Sequence, residues 1–227
     1  MEIINIDGIE VKIIRKRIRN AYIKINPSGE VFVTAPKLYP AMLIKSFLNR
    51  KLGWIKKRQA AALARPAKIK NLFVSGEHIE LCGKRYLLNV FHAKKRSAVV
   101  NFDCVDLYAK PQDGLAVKQK VINHFYKEQL EKVAGTFVNK WLIEMPVGAA
   151  GPVEIAFKTM KSKWGSCNIR SRKITLNTEL AKKTLRCAEY VCAHEVLHLK
   201  ERNHNKNFHT FMKQAFPDWK SLEEELK

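Results

Sequence analysis

Between residues 11 and 35 apolar positions either alternate with polar ones or run β-branched. VKIIRKR, AYIKIN and VFVTA each read as a strand, with NPSG as the turn between the last two, so the pattern predicts a small antiparallel sheet. From Pro40 to about Leu63 the period changes: Ile44, Phe47, Leu48 and Ile55 recur at helical spacing, and Pro66 is the expected stop. Strand texture returns in HIELCGKRYLLNV, AVVNF and VDLYA, punctuated by Gly83 and the basic turn KKRS.

Beyond Pro111–Gly114 the positions Val117, Val121, Phe125, Val133, Phe137 and Trp141 predict one long amphipathic helix ending before Pro146. His124 falls on its polar stripe with Lys120 and Glu128, a surface position. VEIAF reads as a strand, and KTMKSKWGSCNIRSRKITLN as two strands joined by a loop. Thr184 offers an N-cap for a helix running to about Glu201. A last amphipathic helix places Phe208, Phe211, Met212, Ala215 and Phe216 on one face, and Pro217 ends it. No internal repeat is visible. The pattern therefore predicts an α+β chain with a β-rich N-terminal half carrying one helix, residues 1–112, and a second α+β half, residues 113–227.

Composition changes this picture mainly through charge. The 227 residues hold 42 Lys and Arg against 21 Asp and Glu. Residues 1–112 carry 22 against 8, a net of +14, which leaves 20 against 13, a net of +7, for the rest. No acid occurs between Glu30 and Glu77, while ten basic residues do. Such a surface attracts polyanions, so nucleic acid and nucleotides are expected partners; the bland alternative is a solvated scaffold. Five cysteines, an odd number with no C-x-x-C pair, argue against a disulfide framework and for a reducing compartment. MEIINIDGIE lacks the basic-then-apolar plan of a signal peptide, and no apolar run approaches the roughly 18 residues of a membrane span. The expected setting is cytoplasmic, without a membrane partner.

Chemistry concentrates in AHEVLHLKERNH, residues 193–204, which holds three of the seven histidines. At about 100° per residue, His194 and His198 stand one turn apart on the same face, and two imidazoles so placed can grip one zinc ion. Glu195 follows the first, where its carboxylate can reach a water on the metal without ligating it. His204 lies six residues after His198, about 600° of turn. It returns to the same side only if the helix stops first, and Asn203, tolerant of the left-handed conformation, is the expected break. Three histidines with an open position suit a catalytic rather than a structural zinc. Cys192 is two positions from His194 and belongs to the core, His78 and His92 lie in distant strands, and His209 is expected to be partly exposed.

MKSKWGSC at 160–167, ITLNTEL at 174–180, YVCAHEVLHLKERNH at 190–204 and Phe208 together resemble the YgjP-like, SprT-related zinc metallopeptidases. The resemblance extends weakly to IRKRIRNAYIKINPSGEVFVTAP and WIKKR in the first half. It implies a minimal zincin-like second domain, with His194, His198 and His204 as ligands to one Zn2+ and Glu195 as general base. The substrate would be a protein or peptide. It further implies that the strand and turn around WGSC lie beside the cleft. Trp164 and the Lys161/Lys163 pair would then border the substrate channel, or serve only packing and solvation. Asn177 and Asn203 are candidate oxyanion partners. Two departures stand out. The glycine of the longer H-E-x-x-H-x-x-G-x-x-H peptidases is Glu201 here, so their turn cannot be carried over, and Asn205 follows the third histidine where serine is common. The six cations at Lys158, Lys161, Lys163, Arg170, Arg172 and Lys173, with no acid between Glu154 and Glu179, raise a second enzymatic reading, metal-dependent hydrolysis of nucleotide phosphoanhydrides.

Overall fold

The computed structural model describes residues 2–26, 28–64, 71–145 and 151–227. It divides into two compact units, Met1–Lys70 and Asn71–Lys227. The change of texture near residue 112 is thus not a boundary between bodies. It marks the start of a helix within the second unit.

In the first unit β1 (Glu2–Ile6) and β2 (Ile9–Lys16) form a tight hairpin through Asp7 and Gly8, both left-handed at φ 51° and 79°. Two such residues give the type of turn whose twist matches that of the flanking strands. β3 (Tyr22–Ile25) pairs antiparallel with β4 (Val31–Pro36), and β4 pairs parallel with β2, giving the order β1-β2-β4-β3. The sheet is therefore mixed, not antiparallel. β3 takes the outer edge of β4, which leaves β4's other edge for β2 and brings buried Val11 and Ile13 beside buried Val31 and Val33. The single expected helix is two, α1 (Ala41–Arg50) and α2 (Leu52–Leu63), divided at Lys51. There the backbone N–H of Lys51 bonds the Leu48 carbonyl three residues back instead of continuing the four-residue ladder. Ile44, Leu48 and Ile55 still meet one core with the sheet. Pro66 and Pro146, the expected stops, lie outside the described residues.

The second unit begins with β5 (His78–Leu81), β6 (Lys84–His92), β7 (Ser97–Asn101) and β8 (Cys104–Ala109), in the order β5-β6-β8-β7. This repeats the connectivity of β1–β4: a hairpin with two left-handed residues, Cys82 and Gly83, a parallel central pair, and an antiparallel edge. No sequence repeat announces it, because strand pairing is set by register and turn conformation rather than by particular side chains.

α3 (Leu115–Glu144) buries Ile122, Phe125, Tyr126, Leu130, Ala134, Val138 and Trp141. The expected stripe was partly misplaced, since steps of four residues drift by about 40° each and 117 to 141 cannot share one face of a 3.6-residue helix. His124 is exposed beside Glu128, as its polar stripe implied. Next come β9 (Glu154–Lys158), β10 (Gly165–Asn168) and β11 (Lys173–Asn177), ordered β10-β11-β9 with β10 antiparallel and β9 parallel to the centre. β10 is an edge strand.

α4 (Leu185–Leu197) packs against α3, β10, β11 and the two helices that follow, α5 (Lys206–Ala215) and α6 (Trp219–Glu225). Ten of its thirteen residues are buried, Glu189 and Glu195 among them. Its buried Glu189 is satisfied by Lys140 of α3 at 2.7 Å and by Arg186 at 3.1 Å. Its N-terminus is doubly capped: Thr184 Oγ1 accepts from Cys187 N, while Glu225 accepts from the Thr184 backbone N–H and hydroxyl, each at 2.9 Å. α6, which the sequence pattern did not foresee, is thereby tied to the start of α4. Among the described residues no helix is long and apolar enough to cross a membrane.

Candidate metal centre

α4 ends at Leu197, one turn before the expected stop at Glu201. The last turn tightens through Leu199 N to Val196 O and Lys200 N to Leu197 O, and Glu201 N closes on Leu197 O at 2.9 Å. No residue from 198 to 205 takes a positive φ, so the left-handed break expected at Asn203 is not how the chain turns. The reversal is fixed instead by side chains. Asn205 Nδ2 donates to Glu201 Oε2 at 2.7 Å, and Asn205 Oδ1 accepts from Phe208 N, capping α5. Glu201, in place of a flexible glycine, thus anchors the loop that returns His204.

The loop delivers His204 to the other two histidines: one ring nitrogen from each of His194, His198 and His204 lies within 4.8 Å of the others. The Nε2 atoms of His204 and His194 are 3.0 Å apart. His198 Nδ1 donates to the Glu201 carbonyl at 2.9 Å, which fixes its tautomer and leaves Nε2 with a free lone pair. The three rings stand around Phe208, 4.6 to 4.9 Å from its centroid, and Phe208 is buried beneath them. Burial first, then repulsion from His198, His204 and His209, holds His194 down at about 3, and burial likewise lowers His204. These rings are kept neutral, the form in which imidazole donates to a metal. Nitrogen donors around a tetrahedral zinc are separated by roughly 3.3 Å, given bonds of about 2.0–2.1 Å. The observed spacings need only small ring rotations to meet that.

Glu195 is 5% exposed, and its Oε2 has no hydrogen-bond partner among the described residues. Burial pushes this carboxyl up to about 7, with the Lys163 ammonium pulling the other way. β10 runs directly over it: a Cβ on Gly165 would stand 2.5 Å from Glu195 Oε1. Cys167, also in β10, is half-buried and is raised to about 11 by burial and by Glu195, so its thiol stays protonated. The convergent donor set is entirely imidazole. A histidine triad beside a buried carboxyl with an unpaired oxygen fits a divalent first-row ion.

A cleft of about 960 Å³ opens over the triad, between β10, α4, the His198–His204 loop and α6. The expected border residues separate here. Lys163 and Trp164 line the cleft, whereas Lys161 and Asn177 do not. Asn177 is 4% exposed and fully used: it accepts from Met160 N and Glu179 N and donates to the Met160 and Lys163 carbonyls. It shapes the loop that presents Lys163 and Trp164 and has no capacity left for an oxyanion. Asn203 does not line the cleft either. Trp164 donates through Nε1 to the Leu226 carbonyl at 2.8 Å, joining β10 to the end of α6. Of the six cations singled out in the sequence Arg170 also lines the cleft, as do Tyr190, Arg202 and Glu223, which sequence reasoning missed. Tyr190 alone was signalled, since it precedes His194 by four residues and shares its face.

The family described as YgjP-like, metallopeptidase domain, matches residues 19–227. The chain belongs to the YgjP-like metallopeptidase family. It is thus a metal-dependent hydrolase of a peptidase family, and its match covers the histidine triad, the whole second unit and the first unit from residue 19 on. A comparison with curated proteins returned no match. Among solved structures, the chain is similar to the metallopeptidase zymogen of Methanocaldococcus jannaschii jannalysin, at 22% identity over 41% of this chain and 86% of that one, TM-score 0.36. It is also similar to the metallopeptidase zymogen of Pyrococcus abyssi abylysin, at 21% identity over 44% and 90%, TM-score 0.33.

Proposed function

We propose that this YgjP-like protein is a zinc-dependent peptidase in which His194, His198 and His204 hold one zinc ion per chain and Glu195 is the general base. The observation that carries this reading is the convergence of three imidazoles beside a buried carboxyl with an unpaired oxygen. A small sheet whose edge strand crosses a helix bearing the first histidine and the glutamate is the minimal zincin-like plan. When bound, zinc supplies Lewis acidity, which polarises a carbonyl oxygen and makes a water more acidic.

The chain's own groups do the rest. Glu195 Oε2 takes a proton from the attacking water and passes it to the leaving amine. A carboxyl raised toward neutrality can both accept and return it. The Glu201 carbonyl orients His198, and Phe208 holds the three rings apart on a rigid floor. β10 offers an outer edge with no strand partner among the described residues, on which an extended peptide can add as a further strand beside Trp164 and Lys163. Changing Glu195→Gln is expected to keep the metal content and reduce kcat by at least about 100-fold. Undiminished peptide cleavage by that variant overturns the assignment.

Cations at the cleft favour one other substrate, a nucleotide phosphoanhydride, whose phosphoryl oxygens Lys163, Arg170 and Arg202 could bind. Nucleoside triphosphate hydrolysis by the metal-loaded protein, lost in Glu195→Gln and unaccompanied by peptide cleavage, would select it. The basic first unit would bring nucleic acid to the enzyme without sequence preference. The five cysteines, all free, suit a cytoplasmic setting.

A further inference from the structure

The cleft's charge points beyond the reaction to the substrate. Three cations line it: Lys163 just before β10, Arg170 in the turn just after it, and Arg202 in the loop between the second and third histidines. None forms an ion pair with a carboxylate among the described residues, although eleven Lys or Arg pairs with carboxylates occur elsewhere. Two acids also line the cleft, and neither lies within ion-pair distance of these cations. Glu195 is buried beneath Gly165, and Glu223 accepts from the Tyr190 hydroxyl at 3.3 Å. Cations left unpaired along the same groove that holds the reactive groups attract anionic side chains and repel cationic ones.

Geometry says where those side chains would be. Gly165 is the point of β10 in contact with Glu195, so it marks the position of the scissile bond. Lys163 lies two residues to one side of that point and Arg170 five residues to the other, within the β10–β11 turn. A peptide extended along β10 advances about 3.3 Å per residue, so both cations fall within a few residues of the cleaved bond.

We propose that the cleft selects peptides bearing acidic side chains on both sides of the scissile bond, read by Lys163 on one side and by Arg170 on the other, with Arg202 adding to the positive field of the cleft. This selectivity rests on the peptidase reading above. A basic protein with such a groove would cleave acidic segments of its protein substrates in preference to basic ones.

The test compares kcat/KM of the zinc-loaded protein on three peptides identical except that the flanking positions carry Glu, Gln or Lys. The Glu peptide is expected to exceed the Gln peptide by about fivefold per acidic residue, the effect of a well-placed exposed ion pair, with Lys slowest. The difference should lie mainly in KM and shrink with added salt. In Arg170→Gln/Arg202→Gln the Glu-to-Gln ratio should fall toward one, a readout that loss of fold alone does not move. Cleavage of all three peptides at equal rates, or fastest cleavage of the Lys peptide, overturns the charge selection while leaving the peptidase reading intact. Cleavage of none, with nucleoside triphosphates hydrolysed instead, overturns both.

Discussion

Replacing Gly165 by alanine tests the tightest contact in the proposed centre. The added Cβ would stand 2.5 Å from Glu195 Oε1, 2.6 Å from Cγ and 2.8 Å from Cδ. Carbon needs about 3.5–4.0 Å to a neighbouring heavy atom, so the Glu195 side chain must yield by about 1 Å. Backbone strain adds nothing, because Gly165 has no positive φ. The overpacking is expected to cost about 1–3 kcal/mol of stability. In a unit of this size that lowers Tm by a few degrees. Misplacing a proton-transfer group by about 1 Å costs far more in rate, on the order of 100-fold in kcat/KM. Steady-state cleavage of a fluorogenic peptide by folded, metal-replete Gly165→Ala should show that loss with metal stoichiometry unchanged. Combined with Glu195→Gln, the substitution should add little further loss, because both act on one proton transfer. A folded, metal-replete Gly165→Ala enzyme with full activity would refute the placement of Glu195 as the reacting carboxylate.

Three further expectations follow from other contacts. Asn205→Ala removes the cap of α5 and the tie to Glu201, at a cost of about 1 kcal/mol; thermal unfolding should show it, together with weaker metal retention as His204 loses its anchor. Asp113 is held at about 2 by its hydrogen bond with Arg96, so its contribution to stability is fully present above the unfolded carboxyl's value near 3.9 and disappears as pH falls through about 2. The Tm difference between wild type and Asp113→Asn should therefore be constant above about pH 5 and shrink below about pH 4; a difference that grows on acidification would contradict this. Binding of the protein to single- or double-stranded DNA should weaken steeply between low and physiological salt, and a salt-independent affinity would remove the electrostatic reading of the first unit.

Much of the second unit was legible because its signals are local. Thr184 before an apolar run announced α4, the apolar face of Phe208, Phe211, Met212, Ala215 and Phe216 announced α5, and the spacing of His194, His198 and His204 required a stop between the last two. What failed depended on partners distant in sequence. The break at Lys51, the parallel pairing of β2 with β4 and the shift of the buried stripe on α3 are each decided by what the element packs against. Asn177 looked like a substrate ligand because it is polar and near the motif. Its four hydrogen bonds to the 160–163 loop and to Glu179 are visible only once the chain is folded. Arg170, Arg202 and Glu223 reach the cleft from three separate segments, and no period or motif links them.

A single metal centre held by His194, His198 and His204 should be lost when two of its ligands are removed. Elemental analysis of the purified protein beside His194→Ala/His198→Ala tests it most directly. The account predicts one zinc per wild-type chain and close to none in the variant, with both chains folded by circular dichroism. Equal metal in the two proteins, or a wild-type protein that cleaves peptides after complete metal removal, would contradict it.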